Sequence, residues 1–234
     1  MEGYGIKNEI FAISNGIDLR EYARKEERGR EFRKKYGFSD SDKVIMSAGL
    51  LMNRKGVCDF AELARRLPQY RFIWFGDANL NLVGKDIRNT VKNPPQNLIF
   101  AGYVDKKSLQ AALSGSDLFL FPSYEETEGI VVLEALAAET PTLLRNIPVY
   151  DGWICSYNDK GENNSYFANN IDEFERLTAD ILENRVPSLV ENGYNIVRQR
   201  SFDETGKQLI AAYEQAIRIC KGREIKEPQN VQLR

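Results

Sequence analysis

The sequence predicts an α/β fold, a doubly wound and mostly parallel sheet with extra helices at its carboxyl-terminal end. Three observations predict it. Strand-like and helix-like runs alternate along most of the chain, which is the pattern of a parallel sheet covered by helices. The strand-like runs are apolar without interruption rather than alternating, as strands buried on both faces are. The 234 residues are 42% apolar and 28% charged, enough for one substantial core.

The elements follow in order. IFAI (10–13) reads as a strand, followed by the turn Ser14-Asn15-Gly16-Ile17-Asp18. Residues 20–36 read as a charged helix, KVIMSAGLL (43–51) as a buried strand, and VCDFAELARRL (57–67) as an amphipathic helix closed by Pro68. RFIWFG (71–76) is a strand opening into the Gly76-Asp77 loop, NLIFAGYV (97–104) a strand and KKSLQAALSGS (106–116) a helix. LFLFPS (118–123) is a strand, the stretch from about Glu128 to Ala138 a helix, and PTLLRN (141–146) a strand. An irregular stretch runs from Tyr150 to about Asn170. Helices follow near 171–184, 187–199 and 203–222. The expected organisation is one Rossmann-like domain over 1–222 and a polar, frayed tail over 223–234. Ligands on such sheets sit at the carboxyl ends of the strands.

Composition excludes several functions. A net charge of −2 gives no argument for nucleic acid as a partner. No apolar stretch reaches the roughly 18 residues that span a membrane, and the start lacks the charged and apolar regions of a secretory leader. Cys58, Cys155 and Cys220 are scattered, which suits a reduced cytoplasmic compartment and gives no disulfide or metal pattern. The chain has no histidine, so it cannot build a Ser-His-Asp or Cys-His site within itself or the usual zinc sites.

The candidate site centres on Glu126 and Glu134, with seven residues between them in SYEETEGIVVLEALAAETPTLL. Glu126 falls at a strand-to-helix junction, and Glu134 is the only carboxylate inside the helix that follows. At about 1.5 Å of rise per residue the second acid lies roughly 9 Å further along the axis. Between them is a helix amino terminus, an anion site by virtue of its free amides, and Gly129 lets a ligand approach the backbone. Most Glu pairs at this spacing are solvated helix surface. Here the neighbours are Ile130, Val131, Val132, Leu133, Ala135, Leu136 and Ala137, and a helix apolar on nearly all sides is buried. A carboxylate there needs a partner. Carboxylate, anion site and carboxylate in a row suit a nucleotide diphosphate sugar.

The segment PSYEETEGIVVLEALAAETP resembles the donor-site motif of retaining glycosyltransferases of the GT-B fold, the large glycogen-synthase-like family. Glu126, Gly129, Glu134 and Ala135 match that motif. The spelling Glu125-Glu126-Thr127-Glu128-Gly129-Ile130, followed by Leu133-Glu134-Ala135-Leu136-Ala137-Ala138, is similar to that of Gram-positive diacylglycerol α-glucosyltransferases. The resemblance implies one half of a GT-B fold, the carboxyl-terminal, donor-binding half, because Ile13-Ser14-Asn15-Gly16-Ile17-Asp18 resembles the phrase that opens that half. It implies transfer of glucose from UDP-glucose to a lipid such as diacylglycerol, or to a saccharide in capsule or cell-wall synthesis. A third reading is a nucleotide-sugar-binding module that is not catalytic by itself.

The same resemblance implies roles. Glu126 is the catalytic residue, orienting the sugar, as nucleophile or as electrostatic stabiliser. Glu134 holds the ribose. Donor binding falls to Arg54, Lys55, Tyr103, Val104, Thr127, Gly129, Ile130 and Glu134. Gly49 to Gly56 resembles the family's phosphate loop, and Lys55-Gly56 matches it. Leu50 stands where the family has Arg, and Arg54 either supplies the missing charge or points to solvent. Gly102-Tyr103-Val104 matches the place where the nucleobase is held, with Tyr103 stacking on it or merely lining the rim. Asp77 matches a loop position but also suits a turn cap. Ser39-Asp40-Ser41-Asp42 reads as a turn, and no metal or other cofactor is expected. The basic residues within 20–35 are interleaved with four Glu and read as a solvated face. The implied partners are a nucleotide sugar, an amino-terminal GT-B domain and a membrane lipid acceptor. They place the full enzyme in the cytoplasm, at the inner face of the membrane.

Overall fold

The computed structural model describes residues 10–154 and 164–224, with side chains to Cys220. The chain divides into two compact units, one of residues 17–198 and one of 1–16 with 199–234. Cys155 and the tail from 225 onward, both part of the sequence reading, lie outside the described residues.

The larger unit carries the sheet. Its strands are β1 (Val44–Ala48), β2 (Arg71–Phe75), β3 (Leu98–Gly102), β4 (Leu118–Phe121), β5 (Thr142–Arg145) and β6 (Tyr166–Ala168). They lie in the order β3-β2-β1-β4-β5-β6, and every pair is parallel. β1 and β4 are buried at every residue, which is why both read as unbroken apolar runs. Alternate side chains serve two cores. Val44, Met46, Phe119 and Phe121 enter one, and Ile45, Leu118 and Leu120 the other, as the two-residue period of a strand demands.

Helices cover both faces. The charged segment near the start forms α1 (Leu19–Tyr22) and α2 (Glu26–Tyr36) rather than one helix. The break comes at Ala23, whose extended backbone (φ −48°, ψ 130°) ends the first turn. The remaining helices of this unit are α3 (Val57–Arg66), α4 (Lys85–Lys92), α5 (Lys106–Gly115), α6 (Ile130–Ala137), α7 (Ile171–Leu182) and α8 (Val190–Arg198). α5 is capped by Asp105, which accepts from the Ser108 amide at 2.8 Å, and α7 by Asn170, which accepts from the Glu173 amide at 3.0 Å. α9 (Phe202–Glu224) belongs to the smaller unit.

Two further expectations fail. Residues 10–13 form no strand, and Ile10 and Phe11 are nearly half exposed. A four-residue apolar run becomes a strand only when it finds a pairing edge, because strand preference is mostly packing context. The irregular stretch expected from 150 to 170 contains β6, a three-residue strand on the sheet edge, too short to announce itself.

Strand order reverses between β1 and β4, since β2 and β3 continue on one side and β5 and β6 on the other. A doubly wound sheet opens a crevice at the carboxyl ends of the strands flanking that point.

Candidate functional site

The crevice is there. A cleft of about 490 Å³ lies at the ends of β1 to β4, from Ala48, Phe75 and Gly76 on one side to Val131 and Glu134 on the other. That is within the usual size of a small-ligand site. All nine residues singled out from the sequence line it: Arg54, Lys55, Tyr103, Val104, Glu126, Thr127, Gly129, Ile130 and Glu134.

Two loops form its floor, residues 49–56 after β1 and 122–129 after β4. They approach so closely that a Cβ on Gly56 would stand 2.4 Å from the Pro122 carbonyl oxygen, and Gly56 is held at φ +73°. Glycine is required there on both counts. The contact continues as hydrogen bonds. The Tyr124 amide donates to the Arg54 carbonyl at 2.7 Å. The Ser123 hydroxyl donates to the carbonyls of Arg54 at 3.0 Å and Glu125 at 3.1 Å. The Arg54 guanidinium donates to the Glu125 carbonyl at 3.1 Å. Arg54 thus neither points away from the site nor stands free; its side chain joins the two loops.

Behind them lies a brace that nothing in the sequence announced. Arg145 at the end of β5 is buried and donates to the Pro122 carbonyl at 2.9 Å and to Asp59 at 2.5 Å. Its guanidinium stacks on the Tyr124 ring at 3.9 Å, and the Tyr124 hydroxyl also donates to Asp59 at 2.7 Å. A buried Arg needs such partners, and only the tertiary fold brings them together.

Lys55 and Glu126 meet in this floor. The Lys55 ammonium donates to Glu126 Oε1 at 2.5 Å, with side chains only 13% and 7% exposed. It also lies 5.5 Å from the Phe121 ring centre. Its stem passes Gly49, where a Cβ would sit 3.4 Å from Lys55 Cδ. The lysine is therefore inside the cleft rather than a solvated loop cation.

α6 begins beside this pair. Its cap is Gly129 at φ +82°, a left-handed position that favours glycine, and no side chain caps the helix. The amino terminus thus lies at the cleft with a cap residue that has no side chain of its own, and a helix terminus of this kind suits an anion. Beneath Gly129, 3.4 Å from where a Cβ would stand, is the hydroxyl of Tyr150. It is buried without a hydrogen-bond partner, and burial followed by the charge of Glu126 raises its phenol pKa.

Glu134 is the fifth residue of α6. Its Oε1 accepts the Tyr22 hydroxyl at 2.5 Å. Burial pushes its carboxyl pKa up, opposed by the Tyr22 hydrogen bond and by the nearby Lys106. Burial also raises the Tyr22 phenol, joined by its bond to Glu134. Sequence reasoning missed Tyr22, which lies 112 residues away in the chain; no local signal marks a residue whose partner is that distant.

The rim is apolar. Tyr103 is 83% exposed, and Leu50 and Ile130 are about half exposed. The two remaining acidic candidates stand apart from the cleft. Asp77 caps its own turn by accepting from the Ala78 amide at 2.8 Å. Asp42 accepts from the Ser39 amide at 2.7 Å and hydroxyl at 2.9 Å, closing the expected turn. Among the described residues no cluster of three or more His, Cys, Asp or Glu side chains is placed to hold a metal ion, and no helix is long and apolar enough to cross a membrane.

A reversed-order parallel sheet with a cation, an open helix terminus and two carboxylates at its switch point defines a doubly wound α/β domain prepared for a small anionic ligand. Residues 29–199 match the family described as glycosyl transferases group 1, and the chain belongs to that family. It is 44% identical over 216 residues to a processive diacylglycerol alpha-glucosyltransferase of Acholeplasma laidlawii, covering 92% of this chain and 63% of that protein. It is 38% identical over 117 residues to an alpha-galactosylglucosyldiacylglycerol synthase of Streptococcus pneumoniae, covering 49% of this chain and 31% of that protein. The chain thus spans less than two thirds of the length of either relative. Its fold is shared with Anabaena HepE, solved in complex with UDP-glucose, at a TM-score of 0.72 and 18% identity, over 87% of this chain and 57% of that one.

Proposed function

We propose that this chain is the donor-substrate half of a retaining hexosyltransferase that takes UDP-glucose and transfers glucose to a lipid acceptor such as diacylglycerol. One observation carries the reading: Glu134, the open α6 terminus and the Lys55–Glu126 pair line a single cleft at the switch point of the sheet. The 44% identity to a diacylglycerol glucosyltransferase, over nearly the whole chain, favours a lipid acceptor over a saccharide.

In this reading each group has a task. The ribose diol meets Glu134, and the uracil lies towards Tyr103 and Val104. The diphosphate meets the α6 amides and draws the Lys55 ammonium from Glu126. Glu126, relieved of its partner, accepts from sugar hydroxyls. When the bond from the anomeric carbon to the diphosphate oxygen breaks, its electron pair stays on UDP, where Lys55 and the amides neutralise it. The acceptor hydroxyl bonds to the same face of the anomeric carbon and passes its proton to the departing diphosphate oxygen, which has just taken the electron pair. In this reading no metal or cofactor takes part, and the acceptor half lies outside this chain. The full enzyme works at the inner face of the cytoplasmic membrane, where its lipid acceptor is.

Calorimetry with UDP, UDP-glucose and GDP tests the donor assignment. The two uridine ligands should bind and GDP should bind at least tenfold more weakly. Equal affinity for GDP would remove the uridine assignment, and no binding of any of the three would remove the donor-site reading.

A further inference from the structure

The ribose carboxylate of this reading is not alone. Tyr22 is 5% exposed and points its hydroxyl at Oε1 of Glu134 at 2.5 Å. The ring is held from above by Lys106, whose ammonium lies 5.5 Å from its centre and pairs with Glu21. The phenol sits in a short helix turn anchored by Asp18, which accepts from the Arg20 amide at 2.9 Å. A single fixed donor on one carboxylate oxygen has two effects. It selects one orientation of a side chain that otherwise rotates, and it leaves the second oxygen for a ligand.

We propose that Tyr22 is a positioning residue for the nucleotide: its hydroxyl holds Glu134 in one orientation and presents the other carboxylate oxygen to the ribose diol. The proposal rests on the donor-site reading above. Three groups face Glu134 or its partner: Tyr22 from α1, Lys106 from α5, and Glu21, which offsets Lys106. The Lys55–Glu126 pair is committed to itself across the cleft. Glu134 is half-buried in a helix whose other side chains are apolar, so those donors favour its ionised form. The Tyr22 hydrogen bond therefore also favours the ionised carboxylate against the effect of burial, and a neutral carboxyl is a poorer acceptor for a hydroxyl pair.

Tyr22→Phe removes one oxygen and keeps the ring in the core. Two measurements test it. The first is the carboxyl-carbon NMR titration of Glu134 in the ligand-free protein, assigned by its loss in Glu134→Gln. The midpoint should rise in Tyr22→Phe. The second is calorimetry with uridine and 2′,3′-dideoxyuridine. The unaltered protein should prefer uridine, and Tyr22→Phe should weaken uridine binding about fivefold with little change for the dideoxy analogue. In the Glu134→Gln background, Tyr22→Phe should have no further effect on that preference. This cycle separates positioning from a general loss of fold, which would weaken both nucleosides alike. Unchanged titration and unchanged preference in Tyr22→Phe would overturn the role of Tyr22 and leave the donor site standing. Failure of the unaltered protein to bind uridine would overturn the donor site and this role with it.

Discussion

Lys55 and Glu126 neutralise each other in the floor of the cleft, and on the proposed reading that pairing decides what each does when a diphosphate arrives. A buried ion pair loses several kcal/mol to desolvation and recovers it only from its partner. A ligand that takes Lys55 must therefore supply the charge that Glu126 gave. A diphosphate does so and a nucleoside does not. Lys55→Ala should lower UDP affinity about tenfold or more, the loss of a charge-assisted hydrogen bond, while uridine binding barely changes. Calorimetry with both ligands checks it, and equal weakening of uridine would mean that the substitution disturbed the cleft rather than the phosphate site. Glu134 carries a stability cost as well. Its carboxyl pKa is raised above the ordinary 4.5 by burial. The folded state then holds its proton to higher pH than the unfolded chain, so stability falls as pH climbs from about 4.5 through the raised value. Glu134→Gln removes that loss. Its melting temperature should exceed that of the unaltered protein at pH 7, and the difference should vanish below pH 4.5. No difference at pH 7 would show that Tyr22 and Lys106 fully offset the burial. At this scale the sequence was informative wherever a residue's role is local. Glu126, Gly129, Glu134 and Lys55 sit in short runs whose spacing implies their place. Tyr22 and Arg145 could not be found that way, because each matters through a side chain more than 80 residues off.

At the scale of elements the buried strands were legible because their burial is complete. An unbroken apolar run such as Leu118–Phe121 has few alternatives to a central parallel strand. The edge was harder. β6 has three residues, and α4 is mostly polar, with only Ile87 buried, so neither shows a clear period. The apolar run at 10–13 misled for the opposite reason, since it had the composition of a strand without an edge to join. The seam between α2 and α5 was also invisible. There Gly29 and Gly115 bring the two helices together, and a Cβ on Gly115 would stand 2.5 Å from Phe32 Cδ1 and 2.7 Å from the Gly29 carbonyl oxygen. Read in sequence, Gly115 looks like a helix end. In the fold it is the residue that permits the crossing. Gly115→Ala should therefore destabilise the protein by about 2 kcal/mol through overpacking, although alanine is the better helix former. Urea unfolding would show it. A stabilised variant would mean that the helices part without cost and that the seam holds little of the core together.

For the whole molecule the decisive contrast is between the floor of the cleft and its rim. Its floor is stitched by Arg54, Ser123 and Tyr124 and backed by Arg145, so the proposed donor side has a hydrogen-bonded framework of its own. Its rim carries apolar side chains in water: Tyr103 is 83% exposed and Leu50 56%. Exposed apolar residues beside a polar site mark a surface that is covered in the working state. That framework on one side and exposure on the other predict different behaviour for binding and for catalysis. Every group proposed to hold the nucleotide lies in this chain, so this chain alone should take up UDP and UDP-glucose with modest affinity. Transfer needs water excluded and the acceptor hydroxyl held against the anomeric carbon, and nothing on this side of the cleft does either. The chain alone should give little transfer from UDP-glucose to diacylglycerol in mixed micelles. Adding the amino-terminal part of the Acholeplasma relative, expressed as a separate chain, should raise the rate by orders of magnitude while changing UDP affinity far less. Glu126→Ala should abolish that gain and leave UDP bound. Robust turnover by this chain without a second half would overturn the half-enzyme reading. A restored rate that depends on Glu134 but not on Glu126 would instead reverse the roles given to the two carboxylates.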